Sequence, residues 1–252
     1  MAASAPKETA ARPSVSLVIP VYNEVDSVAP LIEEIVAAGL AAPPGFEVVF
    51  VDDGSTDGTT EALAALAARH EFARVFRLNR NSGKSAAWHL GFRMARGEWI
   101  VTLDADLQND PADIPAMLDA LAAGADLVSG QRRARADTSG RRIQSRIANY
   151  VRRAVLNDGA LDVGCGMKAF RRECVRWIPY FNGWHRFFEA LFTIYGFRVV
   201  SLPVNDRRRR FGRPKYGLMN RVGRATLDML GVWWLKTRVV RYSWKRVAPR
   251  KP

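Results

Sequence analysis

The chain has 252 residues, 48% of them hydrophobic, which supports a sizeable core and excludes a disordered polypeptide. Its two cysteines, Cys165 and Cys174, form no metal-ligating spacing and read as reduced thiols of a cytosolic protein. The net charge of +13 is unevenly placed: residues 1–130 carry 9 Lys and Arg against 18 Asp and Glu (−9), and residues 131–252 carry 29 against 7 (+22), which points to an anionic partner for the second half.

Residues 1–13 lack the apolar stretch of a secretory signal and read as a flexible lead-in. Ser14 to Pro20 is a short apolar strand, followed by a helix with Val28, Leu31, Ile32, Ile35 and Val36 on one face, Asp26 or Ser27 as N-cap and Gly39 as stop. The unit repeats. Phe46 to Val51 is a strand ending in Asp52-Asp53-Gly54-Ser55-Thr56-Asp57-Gly58, and Leu63, Leu66 and Ala67 mark the inner face of the next helix. Residues 73–78 form a third strand, Gly83 to Arg96 a third helix, and Trp99 to Leu103 a strand ending at Asp104-Ala105-Asp106. Asp110 then caps a helix with Pro111 at its first position and Ile114, Met117, Leu118 and Leu121 inward. This alternation predicts an α/β fold, a mostly parallel sheet covered on both faces, with ligands beyond the carboxyl ends of the strands, where both acidic clusters fall.

After Gly130 the alternation weakens. Residues 132–153 hold eight arginines around a stripe of Ile143, Ile147, Tyr150, Val151 and Val155, the pattern of a basic amphipathic helix. A Gly-rich hinge (Val163 to Gly166), an aromatic stretch (Trp177 to Phe192) and a strand (Arg198 to Val204) follow. Arg207 to Tyr216 is a loop too charged for a core, and a helix from about Gly217 carries Trp233 and Trp234 before a basic tail. The most apolar segment, Ala225 to Leu235, falls short of the roughly 20 residues that cross a bilayer.

Asp104 and Asp106, two apart at a strand end, would present both carboxylates to one side, suited to Mg²⁺ or Mn²⁺ shared with substrate phosphates. Asp110 already caps the next helix, which leaves the pair available; Gln108 could add a neutral oxygen. Asp52-Asp53 forms a turn, and one of its carboxylates could accept hydrogen bonds from a nucleotide's base or ribose. Lys84, at a helix start, could reach a phosphate or stand exposed. His185 reads as structural.

Four motifs in this order, Pro20-Val21-Tyr22-Asn23-Glu24, Asp52 to Asp57, Asn81-Ser82-Gly83-Lys84 and Asp104-Ala105-Asp106-Leu107-Gln108, resemble family-2 glycosyltransferases of the GT-A fold. The likeness continues through Asp162 to Phe170 and the Arg-x-x-Gly-x-x-Lys-Tyr pattern at 209–216, and within the family it is similar to the dolichol-phosphate mannose synthase group. The resemblance implies that Pro20, Tyr22 and Glu24 with Asp52 surround the base and ribose, and that Asp104 lies along the sugar nucleotide. It further implies that Asp106 and Gln108 complete the metal site and that Arg209 and Lys215 contact phosphates. Many members have Ser where this chain has Pro214, which removes one hydroxyl contact to phosphate. Arg207 and Arg208 are expected to be solvated.

The activity so implied is metal-dependent, inverting transfer of a hexose such as mannose from a GDP- or UDP-sugar to a polyprenyl phosphate. Residues 14–216 would form the catalytic domain, split into a nucleotide-sugar half (14–130) and an acceptor half (131–216). Residues 217–252 would form an amphipathic helix and basic tail. The basic helix near 141–155 and the Trp233-Trp234 helix would rest on the anionic cytoplasmic face of a membrane, with the protein cytoplasmic and peripheral. A same-fold enzyme using a hydroxyl acceptor would need a carboxylate base, for which Asp162 is the candidate. A nucleic-acid-binding module would leave the acidic strand ends unexplained, and no nucleic-acid partner is expected.

Overall fold

A computed structural model describes residues 14–41, 45–132, 152, 154–157, 159, 162–210 and 219–240. The predicted basic helix near 141–155, Lys215 and Pro214 in the charged loop, residues 1–13 and the basic tail lie wholly or largely outside the described residues. The strands are β1 (Val15–Val21), β2 (Phe46–Asp52), β3 (Ala73–Arg77), β4 (Trp99–Thr102), β5 (Leu127–Arg132), β6 (Lys168–Arg171) and β7 (Val199–Val204). The helices are α1 (Val25–Ala37), α2 (Thr59–Arg69), α3 (Lys84–Met94), α4 (Ile114–Ala122), α5 (Phe188–Ile194) and α6 (Met219–Arg238).

Seven strands form one sheet in the order β3-β2-β1-β4-β6-β5-β7. β1 to β4 pair in parallel, β6 runs antiparallel to both β4 and β5, and β7 is parallel to β5. Alternate residues feed two cores. Leu17, Ile19, Val48 and Phe50 pack with Val28, Leu31, Leu63, Ile114 and Met117 of α1, α2 and α4 on one face. Val18, Val49, Val51, Ile100 and Phe170 pack with Trp88 and Phe92 of α3 and with Phe188 and Phe192 of α5 on the other. Burial on both faces explains why β1 and β2 read as continuous apolar runs instead of alternating ones.

Local details depart from expectation where tertiary partners intervene. α1 begins at Val25 with Glu24 at its N-cap, where the first N–H of the helix finds Asp57 Oδ2 of the loop after β2 (3.5 Å) and Ser27 Oγ donates to Glu24 Oε2 (3.0 Å). Gly39 does stop this helix, at φ 72°. Val36 is exposed, one step past the buried face of Val28, Leu31, Ile32 and Ile35. Asp110 Oδ1 accepts from Ala112 N (3.0 Å) and opens a 3-10 turn, Pro111–Asp113, that leads into α4.

Candidate active site

The loops after β1 and β2 are sewn together at the carboxyl edge of the sheet. Asn23, held at φ 52°, donates its N–H to Ser55 Oγ (2.9 Å) and accepts Thr56 N at Oδ1 (2.8 Å); Glu24 N donates to Thr59 Oγ1 (2.9 Å). Beneath them Asp52 is fully buried, its carboxylate accepting from Ser55 N (2.8 Å) and Thr60 Oγ1 (2.5 Å). Asp52, expected beside the nucleotide, is not among the residues lining the cleft; its neighbour Asp53 is, fixed by Ser82 N (2.7 Å) and Gly83 N (2.8 Å). Burial raises the Asp53 pKa, and Asp52 beside it adds to the rise.

The cleft, about 440 Å³, opens along these strand ends and is of a size for a small-molecule ligand. Pro20, Tyr22 and Glu24 line it from the end of β1, Lys84 and Trp88 from α3, Asp104 and Asp106 from the turn after β4. Val163 to Cys165, His185, Arg186 and Arg209 also line it. Since β4 stops at Thr102, the acidic pair occupies a turn and not the strand itself. Leu107, buried at φ 62°, bends the chain there, and Gln108 N donates to Asp106 Oδ1 (3.1 Å). Such a bulky residue in the left-handed region stores strain of the kind that functional turns carry.

Each carboxylate of the pair faces a cation. Lys84 Nζ lies 2.5 Å from Asp104 Oδ1 and 4.7 Å above the Trp88 ring. Arg209 Nη2 lies 2.6 Å from Asp106 Oδ2, with Nη1 3.5 Å from Glu24 Oε1. Asp106 is buried, and burial first, then the charge of Asp104, raises its pKa against the opposing pull of Arg209 and Lys84. Two carboxylates beside a phosphate-sized cleft match the donor set of a hard divalent ion that takes its other ligands from a diphosphate and water. Among the described residues no group of three or more His, Cys, Asp and Glu side chains forms a self-sufficient metal cage. Gln108 is not among the residues lining the cleft; its Nε2 lies 3.5 Å from Arg207 O.

What brings Arg209 here is the segment after β7. Asp206 bridges to Asn109, Arg207 N donates to Gln108 O (2.8 Å), and Arg207 Nη2 reaches Glu34 Oε2 (2.5 Å) and Asn109 O (2.7 Å). Arg207 is therefore a structural pin, correcting its expected solvation, while Arg208 is exposed as expected. Asp162 is buried and gripped by Arg132 through Nε (2.8 Å) and Nη2 (2.9 Å), outside the cleft lining. Cys165 lines the cleft, but burial raises its pKa and keeps it a thiol. Sequence reasoning offered one carboxylate of Asp52-Asp53 without choosing Asp53, read His185 as structural, and missed the cleft positions of Trp88 and Arg186, for which the sequence carried no signal.

Comparisons with known proteins agree with this geometry. The profile of glycosyl transferase family 2 matches residues 16–177. The chain is 38% identical over 222 residues to a dodecaprenyl-phosphate galacturonate synthase of Rhizobium johnstonii, covering 86% of this chain and 65% of that protein. It is 37% identical over 207 residues to an undecaprenyl-phosphate 4-deoxy-4-formamido-L-arabinose transferase of Edwardsiella ictaluri, covering 81% of this chain and 63% of that one. The chain thus spans somewhat under two thirds of the length of these relatives. Among solved structures, glucosyl-3-phosphoglycerate synthase from Mycobacterium tuberculosis in complex with Mn²⁺, UDP-glucose and phosphoglyceric acid superposes with TM-score 0.66 at 20% identity, over 91% of this chain and 81% of that one. The same enzyme has been solved with Mg²⁺ and UDP, at TM-score 0.64 and 20% identity. With its mostly parallel sheet flanked by helices and its acidic turn after β4, the chain belongs to glycosyl transferase family 2 and has the GT-A fold.

Proposed function

We propose that this chain transfers a sugar from a nucleoside-diphosphate sugar, GDP- or UDP-linked, to a polyprenyl phosphate, with inversion at the anomeric carbon. The observation that carries the reading is the ladder of matched charges, Lys84 with Asp104 and Arg209 with Asp106, at the strand ends. A diphosphate entering this ladder meets two cations, and the carboxylates they leave can take a metal ion. Pro20, Tyr22, Glu24 and Asp53 would receive the nucleoside, with Asp52 shaping the loop from below. Mg²⁺ or Mn²⁺, held by Asp104 and Asp106 with Gln108 as candidate third ligand, would supply Lewis-acid stabilisation of the leaving diphosphate. Arg209, with Lys215 as its proposed companion, would bind phosphate and offset charge as the bond to the sugar breaks.

In the displacement an acceptor phosphate oxygen attacks the anomeric carbon, and the departing diphosphate oxygen keeps the bonding electron pair. The attacking oxygen needs no protein base, since a phosphate monoester's second pKa is about 6. Asp162, the one base candidate for a hydroxyl acceptor, is held by Arg132, which favours the phosphate acceptor over that alternative. The names of the two relatives support the lipid phosphate class. They carry galacturonate and formamido-arabinose, whereas the sequence resemblance points to a hexose such as mannose, so the donor is settled by assay. The lipid substrate would be met at an anionic membrane surface, with α6 as an interfacial helix and the protein on the cytoplasmic face.

The test is release of nucleoside diphosphate, with formation of lipid-linked sugar, from UDP-galacturonate, UDP-glucose and GDP-mannose in the presence of polyprenyl phosphate and Mg²⁺ or Mn²⁺. One donor should turn over, chelation should stop it, and Asp106→Ala should cost roughly 100-fold or more. Silence with every donor, or an active Asp106→Ala protein, refutes the proposal.

A further inference from the structure

We infer that Arg186 binds the phosphate of the lipid acceptor, at the edge of the cleft that α6 helps to build; this deepens the transferase reading above and rests on it. Among the described residues, three lysine and arginine side chains line the cleft: Lys84, Arg186 and Arg209. Two are committed to the acidic turn, with Lys84 Nζ 2.5 Å from Asp104 Oδ1 and Arg209 Nη2 2.6 Å from Asp106 Oδ2. Arg186 instead meets Asp228 of α6, its Nη1 3.5 Å from Oδ2. That is a loose tether beside the roughly 2.7–2.9 Å of a strong charge-assisted bond. The reaction brings three phosphate groups together: two of the donor diphosphate, which belong with the metal-binding turn, and one of the acceptor. The cation that the turn does not claim is left for the third.

The place of Arg186 is set from two sides. It lies on a 3-10 turn, Trp184–Phe187, that the first turn of α3 holds: Gly183 N donates to Ser85 Oγ (2.9 Å) and Trp184 Nε1 to Ser85 O (3.3 Å). Ser85 follows Lys84, whose ammonium reaches Asp104, so this turn adjoins the helix end that serves the acidic pair. On the other side, α6 supplies Ala225 to the cleft lining and, three residues on and so on the same helix face, Asp228 to Arg186. Asp228 also packs against Gly183, where a Cβ would lie 2.6 Å from its Oδ2. Val232, one turn further along that face, is buried and seats the helix. The remaining face of α6 carries the exposed Leu227, Leu230, Trp233 and Trp234. A phosphate held by Arg186 therefore lies where the cleft meets the helix with the outward apolar face, which suits a head group that drags a polyprenyl chain behind it. Arginine also suits the chemistry: its planar fork grips two phosphate oxygens and leaves the third to attack the anomeric carbon.

The experiment uses the full chain and the donor that wild type turns over. KM and kcat are measured with lipid-embedded polyprenyl phosphate and with a short, water-soluble prenyl phosphate. Affinity for UDP and GDP is measured by calorimetry, and membrane binding by co-sedimentation with phosphatidylglycerol vesicles. Arg186→Ala is expected to raise KM for both acceptors roughly ten- to hundred-fold, the loss of hydrogen bonds to a charged group. Nucleoside diphosphate affinity and vesicle binding should stay at wild-type levels. Arg186→Lys, which keeps the charge and loses the fork, should recover part of the loss. Ala225→Glu sets a carboxylate at the same edge and should raise the acceptor KM, while Ala225→Gln, of equal size and no charge, should raise it less; this pair carries the test if Arg186→Ala does not fold. Overturning results are an unchanged acceptor KM in Arg186→Ala or equal effects of Glu and Gln at position 225. A fall in nucleoside diphosphate affinity would move Arg186 to the donor, and a loss confined to the lipid-embedded acceptor with weaker vesicle binding would move it to membrane headgroups; either also defeats the assignment. Wild-type turnover with unaffected variants defeats this inference alone, whereas no turnover of any donor by wild type defeats the transferase reading as well.

Discussion

Asp104 keeps its place in the cleft because Gly166 has no side chain. A Cβ on Gly166 would lie 2.3 Å from Asp104 Oδ2 and 2.5 Å from its Cγ, while Thr102 Oγ1 holds the Gly166 carbonyl at 2.7 Å and blocks retreat of the backbone. Gly166→Ala should therefore swing the carboxylate away from Lys84 rather than unfold the protein. A displacement on the order of 1 Å at a reacting centre costs about 100-fold. The expected result is kcat/KM down by that order with a melting temperature close to wild type; full activity would refute the contact's importance. The acidic turn was legible from residue type alone, but the glycine opposite it read only as a hinge, because a sequence does not say whose side chain fills the space a missing Cβ leaves. The same limit explains Asp52 and Asp53, adjacent acids that turn to opposite sides at a strand end. In the arginine run, Arg207 and, at 3.6 Å, the more exposed Arg210 find Glu34, Arg209 finds Asp106 and Arg208 is exposed, distinctions that four identical residues conceal.

Elements whose burial follows a period were readable, and those stabilised by a buried charge were not. β6 escaped notice because Lys168, a residue that argues against a core strand, is fully buried there. Its ammonium is matched by Glu189 of α5, which also accepts from Ser129 Oγ of β5 (2.7 Å). α5 itself is buried on nearly every side, so its sequence shows aromatic content and no helical stripe. A similar polar knot ties the opposite end of the sheet: Glu47 of β2 accepts from Ser16 Oγ (2.6 Å), Arg96 N (2.7 Å) and Arg74 Nη1 (2.8 Å). Glu47→Ala would strand these donors and should cost about 3 kcal/mol, read as a lowered denaturation midpoint. Glu47 stands five residues before Asp52 on the same strand, roughly 17 Å along it, so kcat of the folded fraction should not change. An unchanged midpoint would show the knot to be dispensable.

The molecule as a whole is polarised, with −9 over residues 1–130 and +22 over residues 131–252, and the cleft with its acidic turn lies where the two meet. α6 adds an apolar feature to the basic half. Val232 is buried and Met229 and Leu235 pack on the core, yet Leu227, Leu230, Trp233 and Trp234 stay exposed, with Lys236 and Arg238 in the last turn. Among the described residues no helix is long and apolar enough to cross a membrane. A helix with one face seated and a second, tryptophan-bearing face outward suits the boundary of headgroups and acyl chains, and basic residues beside it add attraction to anionic lipid. The protein should co-sediment with phosphatidylglycerol vesicles, release as salt is raised, and bind phosphatidylcholine vesicles weakly. Leu230→Glu combined with Trp234→Ala removes apolar area from the exposed face only, so binding should weaken by about ten-fold or more while the melting temperature holds. Nucleoside diphosphate affinity should also hold, since neither side chain lines the cleft. Turnover should then fall with lipid-embedded polyprenyl phosphate and persist with a short, water-soluble analogue; equal loss on both acceptors would place the effect in the cleft and refute an interfacial role for α6.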